Sequence, residues 1–185
     1  MRLLPAFAAA AAVAVLAPGA AAAASSPVRF VTAHGTFTAY APGAHAVTYR
    51  PDLVPAGARA RVSGLAAAGT TTTLLVTGLR PGRAYGAHAH AQPCGATGDA
   101  AGPHFQHAPD PVKPSVDPAY ANPRNEIWLD FTTDRDGTGF ARSTVDWVFG
   151  DRRAKSVVVH ETATHTGPGH AGTAGTRLAC LDVGF

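Results

Sequence analysis

Cysteine is almost missing from this 185-residue chain, which has only Cys94 and Cys180. That excludes a disulfide-dense scaffold. No cysteine lies near residue 25, so a lipid anchor built on a new N-terminal cysteine is not expected. Beyond the first two dozen residues, no stretch approaches the roughly 20 apolar residues of a membrane span. Sustained helical periodicity with caps is also lacking there, which argues against a helical domain. Lys and Arg are scattered, no basic stripe alternates with aromatics, and the formal net charge is only +3. A nucleic-acid partner is therefore not expected. No internal repeat is present, so the chain is not a solenoid.

What is present starts with Arg2, an apolar stretch from Leu3 to Leu16, and small residues Ala20 to Ala24 before Ser25. A charged start, a hydrophobic middle and a small-residue cleavage zone predict a secretory signal peptide over residues 1–25. Alanine dominates this run and drives insertion weakly, which disfavours a retained anchor. Residues 26–185 suffice for one domain with a well-covered core. That domain is expected to be secreted or in the cell envelope, with no stable membrane association after cleavage. In an exported protein a lone cysteine pair usually forms a disulfide. Joining Cys94 to Cys180 would contribute at most about 4 to 5 kcal/mol through loop entropy.

The text of the domain reads as short strands between turns. Candidates are Val28 to Tyr40, Ala46 to Tyr49, Ala58 to Gly64, Thr70 to Leu79 and Ala84 to Ala91. Further on come Glu126 to Thr133, Thr138 to Val148, Ser156 to Glu161 and Arg177 to Val183. They alternate Val, Thr, Phe and Trp with polar residues and are bounded by Gly, Pro and Asp. Asp134 to Gly137 reads as a hairpin turn in which Gly137 supplies a positive φ. Such spacing predicts an antiparallel sandwich or barrel. Two stretches interrupt it. Residues 92–125 carry Pro93, Pro103, Pro109, Pro111, Pro114, Pro118 and Pro123, and residues 162–176 are rich in Thr, Gly and Ala. Loops of that length inside a compact domain usually serve function.

The chemistry concentrates in four segments. In Gly86 to Ala91, His88 and His90 occupy i and i+2 of a strand and share a face, with Ala87 and Ala89 turned to the core. His104 lies in Ala101 to Phe105, and His160 ends the apolar run Val157 to Val159. Taken singly, each histidine fits an ordinary polar residue; together they point to a metal. Arg177 alone fits a solvated charge. It also lies three positions before Cys180, and its planar guanidinium suits a small oxyanion.

These segments, in this order and with Cys94 a few residues after the first, resemble the copper-site and active-site motifs of the copper/zinc superoxide dismutase family. A looser similarity extends over about residues 28–185. The resemblance implies an all-β, Greek-key antiparallel barrel or sandwich with two long functional loops. It implies that His88, His90 and His160 are copper ligands and that His104 is the histidine that bridges copper to zinc. It further implies that Arg177 guides superoxide and that the Cys94–Cys180 disulfide holds a loop against the barrel. The residues say metal; only the family says copper.

The zinc ligands do not carry over. Val112, Arg124 and Ile127 stand at the family's remaining zinc positions, and residues 162–176 contain no acid. The expectation is one copper ion without zinc. Something else must then orient His104, since a metal-bound imidazole normally gives its other nitrogen to a carboxylate, carbonyl or water. Glu126 and Asp130, four apart on one strand face, are the candidates, with Glu126 assigned to His104; both also fit plain strand charges. His107 is read as a loop histidine or a displaced zinc ligand. His165 and His170 are read as solvent-facing or as helpers in copper capture, and His34 and His45 as surface groups.

The resemblance thus implies a secreted oxidoreductase, an antioxidant enzyme converting superoxide to dioxygen and hydrogen peroxide, with Arg177 and His104 in catalytic roles. A positive field near the copper would make its rate fall with salt. Two alternatives stay open: a non-enzymatic extracellular copper-binding or storage protein, and a secreted sandwich whose site has decayed. The family includes monomers and dimers, which leaves the oligomeric state undecided.

Overall fold

The computed structural model describes residues 28–185, so the expected signal segment lies outside the described residues. Nine strands form among the described residues: β1 (Arg29–Thr36), β2 (Ala46–Thr48), β3 (Arg59–Ala66), β4 (Thr70–Thr77), β5 (Ala84–His90), β6 (Phe131–Thr132), β7 (Gly139–Val145), β8 (Ser156–His160) and β9 (Arg177–Asp182). They build a four-stranded sheet ordered β1-β3-β4-β7 and a five-stranded sheet ordered β2-β9-β8-β5-β6, each with antiparallel neighbours. The arrangement is a two-sheet sandwich. It corrects the barrel expectation: β6 and β7 end one sheet each and share no ladder, so the sheets do not close.

Period-two burial explains the layers. Ala60 and Val62 of β3, Leu74 and Val76 of β4, and Ala141 and Val145 of β7 face inward. Against them pack Tyr85, Ala87 and Ala89 of β5, Val157 and Val159 of β8, and Ala179 and Leu181 of β9. Each larger apolar side chain buried here contributes about 1.5–3 kcal/mol relative to exposure. β1 stops at Thr36 because the chain changes sheets: Phe37 is buried in the core and Thr38 makes an isolated parallel bridge to Val47. The turn at Asp134 to Gly137 forms, with the Asp134 carboxylate accepting the N–H of Asp136 and Thr138, and Gly137 has φ 74°. It joins β6 to β7 across the two sheets, so it is a corner where the sequence suggested a hairpin.

The expected strand at Glu126 to Thr133 is paired regularly only at Phe131–Thr132. Leu129 N–H still donates to Ala87 and Ala89 N–H to Ile127, but Ala87 N–H goes to the Asp130 carboxylate at 3.1 Å. A side chain has taken the place of a ladder bond.

Cys94 and Cys180 form a disulfide. Val158 and Cys180 point outward from the five-stranded sheet and pack with Ala101 of the short 3-10 turn Gly98–Ala101. The first long loop is thereby tied to the outer face of that sheet. The bond fits an oxidising, extracellular-like environment. No helix among the described residues is long and apolar enough to cross a membrane.

Candidate metal centre

On β5, Ala87 and Ala89 enter the core, which turns His88 and His90 to the outer face of the five-stranded sheet. β8 brings His160 opposite Gly86, and a register shift falls between Val159 and His160. His104 arrives from the first loop by extending the sheet. Ala91 N–H donates to Pro103 and Phe105 N–H to Ala89, so His104 bridges His90 on the edge of β5 away from β8. One ring nitrogen from each of His88, His90, His104 and His160 lies within 4.8 Å of all the others. Two nitrogens held about 2 Å from one ion sit at most about 4 Å apart, so small side-chain adjustments close the set.

Three of the rings, those of His88, His90 and His104, are fixed by a contact outside the cluster. His90 Nδ1 contacts the Gly102 carbonyl at 2.9 Å, leaving Nε2 3.2 Å from His160 Nε2. His104 Nδ1 meets Glu126 Oε2 at 2.8 Å. His88 Nε2 meets the Thr164 hydroxyl at 2.7 Å, and that hydroxyl donates to Asp130 at 2.8 Å. His88 Nδ1 is buried without a protein partner. His160 Nδ1 is buried without a hydrogen-bond partner as well.

The electrostatics favour neutral rings. Burial, then the neighbouring imidazoles and Arg177, push His88 and His90 well below the ordinary histidine range. His160 is lowered to about 3 by burial first, then by His104 and Arg177. Neutral imidazoles keep the lone pair that a cation needs. A buried, unpartnered Nδ1 costs free energy until something fills it. The four residues therefore fit a bound metal ion, and the donor set alone leaves its identity open.

Glu126 is 2% exposed and is held on three sides. Gln106 Nε2 donates to its Oε1 at 2.8 Å, and Trp128 Nε1 and His104 both approach Oε2. Gln106 also donates to Ser115 Oγ, which donates to Asp110. Asp130 lies 3.7 Å from His88 and reaches it through Thr164. Thr164, Gln106 and Trp128 were not marked by the sequence. Only the late loop's threonine content pointed towards the first, and no spacing pointed towards the other two.

Arg177 stands at the rim. His104, His160, Glu126, Lys113 and Arg177 line one solvent-open cleft. Arg177 Nη1 donates to the Gly98 carbonyl at 2.9 Å and lies 3.9 Å from the exposed Asp99 carboxylate. The other histidines lie apart from the cluster. His107 stacks on Trp147 at 4.9 Å between centroids, His165 and His170 form an exposed edge-to-face pair, and His34 and His45 are exposed. Val112 and Arg124 are exposed, and Ile127 is in the core.

Compared with known proteins, the chain matches no family model and no curated sequence.

Proposed function

We propose that this protein is a secreted, copper-dependent superoxide dismutase that works without zinc, on a sandwich of the copper/zinc superoxide dismutase type. The observation that carries the reading is a cluster of four imidazoles, two of which, His104 and His160, share one open cleft with the Arg177 guanidinium. An all-imidazole set suits copper, which heads the affinity order for such sites. When bound, copper supplies one-electron redox chemistry by which superoxide becomes dioxygen and hydrogen peroxide.

The chain's own residues do the rest. Arg177 gives the cleft a positive rim that draws a small anion inward and offers it a planar donor. His104, 16% exposed, is the ring nearest solvent among ligands that are otherwise buried. Its Nδ1 faces the Glu126 carboxylate, an acceptor that raises ring basicity and fixes the tautomer, where the family has a second metal. Glu126 is itself pinned by Gln106 and Trp128, so the carboxylate cannot swing away without losing two bonds. His88, His90 and His160 are held by β5 and β8, which makes the site rigid on three sides.

Loading the purified protein with copper and measuring metal content and superoxide decay together tests the reading. One copper, no zinc and fast decay is expected. One tightly held copper with no decay would make the protein a copper store or carrier instead. No bound copper would make the histidine cluster a relic.

A further inference from the structure

The four-stranded sheet has an outer face with no role in the metal site, since the histidine cluster sits on the outer face of the other sheet. We propose that this face docks the protein reversibly on an anionic phospholipid surface. None of the chain's 12 Asp and Glu residues lies in β1, β3, β4 or β7. The nearest along the chain, Asp136 and Asp146, sit beyond the ends of β7. The Lys and Arg residues that are scattered in sequence are here gathered by register. Arg61 lies between His34 and Leu75, Leu75 pairs with Phe140, and Arg142 is one row away opposite Thr73. Arg59 follows on β3, opposite Thr36. Arg59, Arg61 and Arg142 are exposed and make no hydrogen bond or ion pair among the described residues.

Apolar side chains stand in the row of Arg61 and in the row beyond Arg142. Phe30 is 77% exposed, Phe140 62%, and Leu65 and Leu75 41% each. Phe30 pairs directly with Leu65 and Leu75 with Phe140, so they form two patches, one towards each edge of the sheet. Exposed aromatic and aliphatic groups interleaved with guanidinium and lacking carboxylates are the composition of an interfacial surface on anionic lipid. A second copy of the same face would set arginine against arginine. A charged glycan would use the arginines alone and leave Phe30, Leu65, Leu75 and Phe140 bare to water. Docking on this face leaves the copper cleft turned towards solvent.

Co-sedimentation of the copper-loaded protein with phosphatidylcholine vesicles, with and without phosphatidylglycerol, tests the idea. Binding is expected only to the phosphatidylglycerol vesicles and should weaken steeply as salt rises. Arg61→Gln with Arg142→Gln should lower vesicle affinity about fivefold per charge, roughly thirtyfold together. Phe30→Ser with Phe140→Ser should also release the protein, while both variants keep the parent copper content and circular dichroism. No binding to phosphatidylglycerol vesicles at low salt would overturn the proposal. So would equal binding to phosphatidylcholine that neither variant reduces, which would assign it to the apolar N-terminal residues. Undiminished binding by the phenylalanine variant, together with tight binding of heparin, would make the face a glycan site and equally overturn it.

Discussion

Glu126 illustrates how much one side chain can carry. A buried carboxylate without a full positive partner is costly, and three donors make it tolerable here: Gln106, Trp128 and His104. Glu126→Ala removes the acceptor on which His104 is oriented, and copper affinity is expected to fall about 10- to 100-fold. Glu126→Gln keeps an acceptor and should lose less. A chelator competition assay with the copper EPR spectrum checks both, and unchanged affinity in the alanine variant would remove Glu126 from the site. Under the proposed function Arg177 acts differently, through field and not through ligand geometry. Arg177→Glu reverses the charge at the rim, so superoxide turnover should drop at least about tenfold, and its salt dependence should flatten or invert. Copper content should stay the same. Full activity with the parent salt slope would contradict the role.

At the scale of elements, the late loop and β5 are joined at one point where no side chain fits. A Cβ added to Gly86 would stand 2.6 Å from the Thr162 carbonyl and 2.8 Å from the Ala174 Cβ. Gly86→Ala must push the loop outward at a cost of about 1–3 kcal/mol. Thr164 then leaves His88 and Asp130, so weaker copper binding and a lowered melting temperature are expected together; a change in neither would mean the loop does not brace the site. Gly86 also bears on what could be read beforehand. Alternation made β5 legible, and with it the common face of His88 and His90; β8 was legible from its apolar run, but the side to which His160 turns was not. The i, i+4 relation put Glu126 and Asp130 on one side as well. The strand character of 126–130 was overestimated because strand propensity cannot register that the Asp130 carboxylate displaces a backbone acceptor at Ala87. Thr164 and Gln106 were illegible for a related reason: their partners are 76 and 20 residues away, and only the folded loops create those contacts. The barrel expectation failed at β6, whose two paired residues leave no edge for β7 to join.

For the whole molecule, the cluster makes stability depend on pH in a definite direction. In the metal-free protein His88, His90 and His160 are held neutral in the fold, with His160 lowered to about 3. In the unfolded chain histidines take up protons as pH falls through about 6.5. Below that value the unfolded state binds more protons than the native state, so stability falls with pH. The contribution is fully present above about pH 6.5 and, for His160, is lost as pH falls towards 3. Three such rings give a slope of at most about 4 kcal/mol per pH unit. Carboxylates are still ionised between about pH 6.5 and 5, so a loss in that window reports the imidazoles. Copper-loaded protein should resist it, because a bound ion stabilises the native state and competes with the protons for the same lone pairs. Denaturant melts of metal-free and copper-loaded protein at pH 7 and 5 measure the difference. A metal-free protein as stable at pH 5 as at pH 7 would mean that the rings take up protons without opening the fold, and that the cluster is looser than its 4.8 Å span.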